Sequence, residues 1–174
     1  GTNNIPVKRM SALGVPVFNA PGANANAVKE LVIAGMLIAA RNLLPATRFV
    51  DGLAGDDETI NNVVEDGKKN FAGIELPRHT LGVIGLGKIG SLVADAAIKL
   101  GMHVLGYDPH ITVDAAWGLP AQVRKAHSVE EVLKAADFVT LHVPYVDATK
   151  NLVNAERLAL MRANAILLNF SRDG

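Results

Sequence analysis

Leu81-Gly-Val-Ile-Gly-Leu-Gly-Lys-Ile-Gly90 is the stretch whose reading decides the fold. Val83 and Ile84 end an apolar strand. Gly85 permits a tight turn out of it, Gly87 lets a ligand approach the backbone closely, and Gly90 lets the following helix lie against the strand. That helix is predicted to run to Leu100, with Ile89, Leu92, Val93, Ala96, Ala97 and Leu100 recurring at helical spacing before Gly101 stops it. A second apolar segment, Met102 to Gly106, then ends in Tyr107-Asp108. A strand, a glycine turn, a helix and an acid at the end of the next strand form the layout that holds a dinucleotide. The helix N-terminus offers free N–H groups and a positive dipole end to a pyrophosphate. Asp108 would accept hydrogen bonds from the ribose 2′- and 3′-hydroxyls. Its charge would repel a 2′-phosphate, and no Arg follows at once to welcome one, so NAD is expected over NADP. A glycine turn alone can serve structure only, and Asp108 alone can start an Asp-Pro turn.

Outward from this core, strands alternate with helices. A short strand is expected at 122–124 and a helix from the capping box Ser128-Val-Glu-Glu131 through Ala136. Phe138 to Pro144 reads as a strand, Asn154 to Met161 as a helix and Ala165 to Phe170 as a further strand. The rhythm implies an α/β fold, a Rossmann-type doubly wound parallel sheet with its ligand at the C-terminal strand edge. Upstream, Gly14 to Asn19 reads as a short strand candidate ending in the turn Pro21-Gly22. A helix follows from a cap at Asn24 or Asn26 to about Asn42, apolar around most of its circumference. Pro45 marks a break, Asp57 to Lys69 a polar helix, and Phe71 to Thr80 a connector with Lys68, Lys69, Arg78 and His79 toward solvent.

The chain has 174 residues, enough for one domain with a sizeable core. Lysine plus arginine balance aspartate plus glutamate at 17 each, so no basic footprint for nucleic acid appears. With no cysteine, disulfides and thiolate metal sites are excluded, which fits a cytoplasmic protein. The first residues carry no signal-peptide pattern. The apolar run Leu31 to Ala40 is too short to span a bilayer. It reads as a helix covered on more than one side, by the core and by a second subunit of a homodimer, or simply as a central core helix.

These motifs, in this order, are similar to those of the D-isomer-specific 2-hydroxyacid dehydrogenases. The matching residues run almost end to end: Gly1 to Ile5, Val17 to Glu30, Phe71 to Leu76, Thr80 to Gly90, Gly106 to Pro109, Leu141 to Pro144 and Leu168 to Arg172. The resemblance is strongest to the branch that oxidises 3-phosphoglycerate to 3-phosphohydroxypyruvate with NAD, toward serine. It implies that Lys88 and Ile89 contact the pyrophosphate through the turn and that Asp108 binds the adenosine ribose. Val143 and Pro144 would border the adenine side, and Phe170, Ser171 and Arg172 would lie by the nicotinamide. Arg172 matches the catalytic arginine, and Asn4 an asparagine that holds substrate. A guanidinium suits that role because it grips a carboxylate bidentately and polarises the adjacent carbonyl as hydride moves.

Two departures from the family pattern stand out. Asp173 intervenes where the pattern continues from Arg to Gly. The family's glutamate and acid–base histidine have no counterpart here: His142 matches a structural histidine, and His79, His103, His110 and His127 stand in solvated or strand contexts. The expectation is a fragment, with residues 1–22 from a substrate domain or hinge, so that the strand candidate there lacks its sheet partners, and 23–174 an incomplete NAD-binding domain. It should bind NAD(H) weakly and lose on the order of 10²–10⁴ in rate for want of a general acid–base group. Lactate, glycerate or hydroxyisocaproate enzymes would share these motifs, as would an NAD-sensing module of co-repressor type.

Overall fold

Five short segments lie side by side, all parallel, in the computed structural model, which describes residues 5–171. They are β1 (Thr80–Ile84), β2 (His103–Tyr107), β3 (Val123–Lys125), β4 (Phe138–Leu141) and β5 (Ile166–Asn169), in the order β3-β2-β1-β4-β5. The order reverses beside β1, which pairs with β2 on one side and β4 on the other. Such a switch point opens a crevice at the C-terminal ends of the strands. β1 and β4 are buried along nearly their whole length, as apolar runs in a parallel sheet should be.

The helices are α1 (Val7–Ala12), α2 (Ala25–Ala40), α3 (Leu43–Asp51), α4 (Asp57–Gly67), α5 (Lys88–Lys99), α6 (Val113–Trp117), α7 (Val129–Ala135) and α8 (Ala155–Leu158). Val32, Met36 and Ala40 of α2 join Val93, Ala94 and Ala97 of α5 over Leu81, Val83, Val104, Phe138 and Leu168. Val129, Val132 and Leu133 of α7 cover the other face over Ile84, Leu105, Val139 and Leu141. The sheet is therefore doubly wound, as expected. At Gly82 a Cβ would collide with Val132 Cγ1, so α7 lies close on β1. No helix among the described residues is long and apolar enough to cross a membrane.

Several local expectations are corrected. Residues 14–19 form no strand, and Val15 and Phe18 are exposed: alternation makes a strand only where a neighbour completes its ladder. Asn24 occupies the N-cap position of α2 but makes no side-chain cap bond, and Asn26 lies inside the helix, pairing with Glu30 and Lys29. Pro45 breaks nothing, because it lies in the first turn of α3, where its missing N–H would have no partner. The turn between α2 and α3 belongs to Asn42, at φ 51. α5 buries Gly90, Val93, Ala94 and Ala97, while Leu92 and Leu100 lie at the margin, more than a third exposed. Small residues win the buried stripe because they let the helix approach the sheet. His79 is half-buried, its ring edge-on to Phe138 and its Nδ1 buried without a partner.

Candidate functional site

The three glycines of the turn prove to have three different reasons. Gly85 sits at φ +92, and a Cβ there would come within 2.6 Å of the His142 carbonyl oxygen. At Gly90 a Cβ would collide with the Gly85 carbonyl oxygen, so the helix is pressed against the turn. At Gly87 the backbone is ordinary and an added Cβ meets no atom within 4 Å. Among the described residues no packing accounts for that glycine; the space beside it is open, at the N-terminus of α5, whose first amides have no intrahelical acceptors. Ser91 Oγ pins the turn, its one proton shared between the carbonyls of Leu86 and Gly87, both within hydrogen-bond distance.

Asp108 stands at the end of β2 and is wired to the turn. Its Oδ2 accepts the N–H of Leu86 and its Oδ1 accepts the N–H of His110, both at 2.9 Å. A carboxylate has about four acceptor positions, so lone pairs remain on both oxygens. The Asp-Pro turn and the acceptor toward ribose are thus compatible. Beside Asp108 opens a cavity of about 520 Å³, also lined by Gly85, Gly87, Val143 and Pro144. Its walls are largely apolar and its polar groups few, as a nucleoside site requires.

A second cavity of about 650 Å³ continues past the turn, lined by Asn24, Val28, Ile89, Phe170 and Ser171, and it shares His142, Val143 and Pro144 with the first. Phe170 rests on Gly35 of α2, where a Cβ would lie 2.7 Å from its Cζ. Asn169 Oδ1 accepts from both the N–H and the Oγ of Ser171 and shapes the chain leaving β5. Asn4, Arg172 and Asp173 lie outside the described residues. Lys88 departs from expectation in one respect: its ammonium reaches the carbonyl of Pro21 at 3.0 Å.

His142 lies between the two cavities. Its Nε2 pairs with the hydroxyl of buried Thr140 at 3.0 Å, and burial pushes its pKa down to about 4. It is a neutral imidazole at physiological pH. The sequence assigned no site role to Tyr107 and His110, beside Asp108, nor to Val146, Thr149, Leu152 and Arg157, which distant segments bring to the cavity. Thr149 Oγ1 accepts from the Val146 N–H and donates to the Pro144 carbonyl, folding the loop after β4 along the cavity. Arg157 is fixed by Glu130 and the Leu152 carbonyl. Tyr107 and His110 flank Asp108 in the sequence, whereas Val146, Thr149, Leu152 and Arg157 carry no local signal.

Residues 33–174 match the family model described as D-isomer specific 2-hydroxyacid dehydrogenase, NAD binding domain. Over its whole length the chain is 40% identical to D-3-phosphoglycerate dehydrogenase of Methanocaldococcus jannaschii, covering 31% of that protein. It is 36% identical to hydroxypyruvate reductase of Thermotoga maritima, again over the whole chain and 51% of the relative. Among solved structures it resembles D-lactate dehydrogenase from Aquifex aeolicus complexed with NAD and lactic acid, with a TM-score of 0.75, 31% identity, and coverage of 99% of this chain and 47% of that one. The chain thus spans about a third to a half of the length of these relatives.

Proposed function

The chain belongs to the D-isomer specific 2-hydroxyacid dehydrogenases, whose NAD-binding domain it carries, and we propose that it is the cofactor-holding part of an enzyme oxidising 3-phosphoglycerate to 3-phosphohydroxypyruvate. The observation that supports the cofactor part of this reading is Gly87: an added Cβ meets no described atom within 4 Å, which leaves room for a pyrophosphate against the backbone. The pyrophosphate would lie over Gly87, on the free amides at the start of α5, with Gly85 and Gly90 shaping the turn behind it and Lys88 and Ile89 beside it. The adenosine would occupy the cavity beside Asp108, between Val143 and Pro144, its ribose hydroxyls donating to the carboxylate. The nicotinamide would lie in the second cavity near Phe170 and Ser171. Bound NAD supplies the hydride acceptor. Arg172 would grip the substrate carboxylate and polarise the adjacent carbonyl, and Asn4 would help hold the substrate.

Identity to D-3-phosphoglycerate dehydrogenases over the whole chain supports the phosphorylated substrate. Hydroxypyruvate reductase and D-lactate dehydrogenase among the relatives keep unphosphorylated 2-hydroxy acids as the second reading. We assign residues 1–22 to a hinge or substrate domain and 23–174 to the cofactor domain, at work in the cytoplasm in serine biosynthesis. A second copy is the proposed cover for Leu31, Leu43, Leu44 and Val50, exposed along α2 and α3.

The 174-residue chain is expected to bind NADH. Titration with NADH, followed by assay with NAD and 3-phosphoglycerate, D-lactate or D-glycerate, tests this. Absence of NADH binding at millimolar ligand would overturn the cofactor reading, and turnover with D-lactate or D-glycerate but not 3-phosphoglycerate would overturn the substrate reading.

A further inference from the structure

The segment ahead of α2 reaches the glycine turn through one side chain. The Lys88 ammonium donates to the Pro21 carbonyl at 3.0 Å, and the lysine stem crosses Gly22, where a Cβ would collide with Lys88 Cδ. Gly22 also sits at φ +82, so its backbone calls for glycine, and a side chain there would push the Lys88 stem aside. Among the described residues, the other hydrogen bonds made by residues 16–24 are local turn and helix-start bonds. On its other side, Lys88 follows directly on Gly87 and its open space, and Asn24 and Val28 line the same cavity as Ile89. One lysine therefore stands between the cofactor turn and a segment that little else holds.

We propose that Lys88 is a positioning residue that couples cofactor occupancy to the order of residues 16–24. This coupling rests on the reading of the turn as an NAD site. An ammonium has three donors and no acceptor. One donor is engaged by Pro21, and two remain for the pyrophosphate, whose charge makes it the stronger acceptor. A lysine already held by Pro21 has less rotamer freedom to lose when the anion arrives. By linkage, the cofactor then steadies the segment as much as the segment favours the cofactor.

Hydrogen exchange of peptides spanning 13–25, in the full 174-residue chain with and without saturating NADH, tests the coupling. NADH should slow exchange there several-fold in the wild type. Lys88→Met should exchange faster than wild type without cofactor, gain no protection there at saturation, and bind NADH roughly ten-fold more weakly. Lys88→Arg should restore both properties. Gly22→Ala keeps the lysine but displaces its stem, and should weaken NADH by a similar roughly ten-fold factor although residue 22 lies outside the proposed cofactor contacts. Unchanged or faster exchange in the NADH-bound wild type overturns the proposal, as does full protection in NADH-saturated Lys88→Met. If the wild type binds no NADH, the reading of the turn falls and the coupling with it. The cofactor-free comparison reports separately on the Lys88–Pro21 tie.

Discussion

Asp108 accepts the backbone N–H of Leu86 at 2.9 Å, so the acid ending β2 and the turn leaving β1 form one unit. Replacing Asp108 should therefore affect both turn geometry and ribose binding. Asp108→Ala is expected to weaken NADH by roughly 10- to 100-fold. Asp108→Asn should weaken it less and lift the repulsion of a 2′-phosphate, narrowing the preference for NADH over NADPH. Competitive titration of the two cofactors against each variant checks this; unchanged NADH affinity in Asp108→Ala would remove Asp108 from the site.

Gly87 and Gly90 make opposite predictions though three residues apart. Gly87→Val adds a Cβ where no described atom stands within 4 Å, so stability should fall only by the roughly 1 kcal/mol of a poorer N-cap while NADH affinity falls on the order of 100-fold. Gly90→Ala drives a methyl into the Gly85 carbonyl and should cost about 3 kcal/mol of stability. Thermal melts paired with NADH titration separate the two. A Gly87→Val protein that still binds NADH normally would empty the open space of meaning.

Neutral His142 makes stability depend on pH. Burial lowers its folded pKa to about 4, from the 6.5 expected of an exposed histidine. Between those values the unfolded chain binds the additional proton. The His142 contribution must therefore make stability fall as pH drops from about 7 to about 4, by about 3 kcal/mol at most, and that contribution levels off below. Urea unfolding at several pH values should show this slope, and His142→Gln should flatten it. Asp137 behaves differently. Burial alone would raise it, but the Thr80 N–H and the Arg162 guanidinium outweigh burial and leave it lowered. Its contribution is present above the ordinary carboxylate value and is lost only as pH falls through the lower folded one, so it adds little slope above pH 5.

Asp137 lies just before β4, at the end of the sheet away from the cavities. Asp137→Asn should cost about 1–2 kcal/mol by breaking the Arg162 pair and weakening the bond from Thr80. NADH affinity should stay within two-fold of wild type, on the order of the ±0.5 kcal/mol expected for a site not in contact. A large loss of affinity would show that the two ends of the sheet are coupled.

The core from β1 through Asp108 was legible because its signals are local: an apolar run, a glycine turn, a helical stripe and an acid at a set distance. The same local logic misled at 14–19, where Val15 and Val17 alternate as in a strand but no neighbour pairs with them. It misled again at Pro45, whose effect depends on its place within a helix. Thr149 and Arg157 were invisible as site residues because the pairing of β1 with β4, and the fold of the loop after it, bring them to the cavity.

By itself the sequence determined a parallel α/β sheet, a turn built for a dinucleotide and an acid suited to a ribose, since each follows from spacing over a few residues. Only the tertiary structure decided that Gly87 borders open space, that His142 is buried enough to stay neutral and that Lys88 reaches Pro21. Those facts depend on which atoms distant segments place, or do not place, around a residue. Such placement arises when the sheet and its helices close on one another, and no local pattern encodes it.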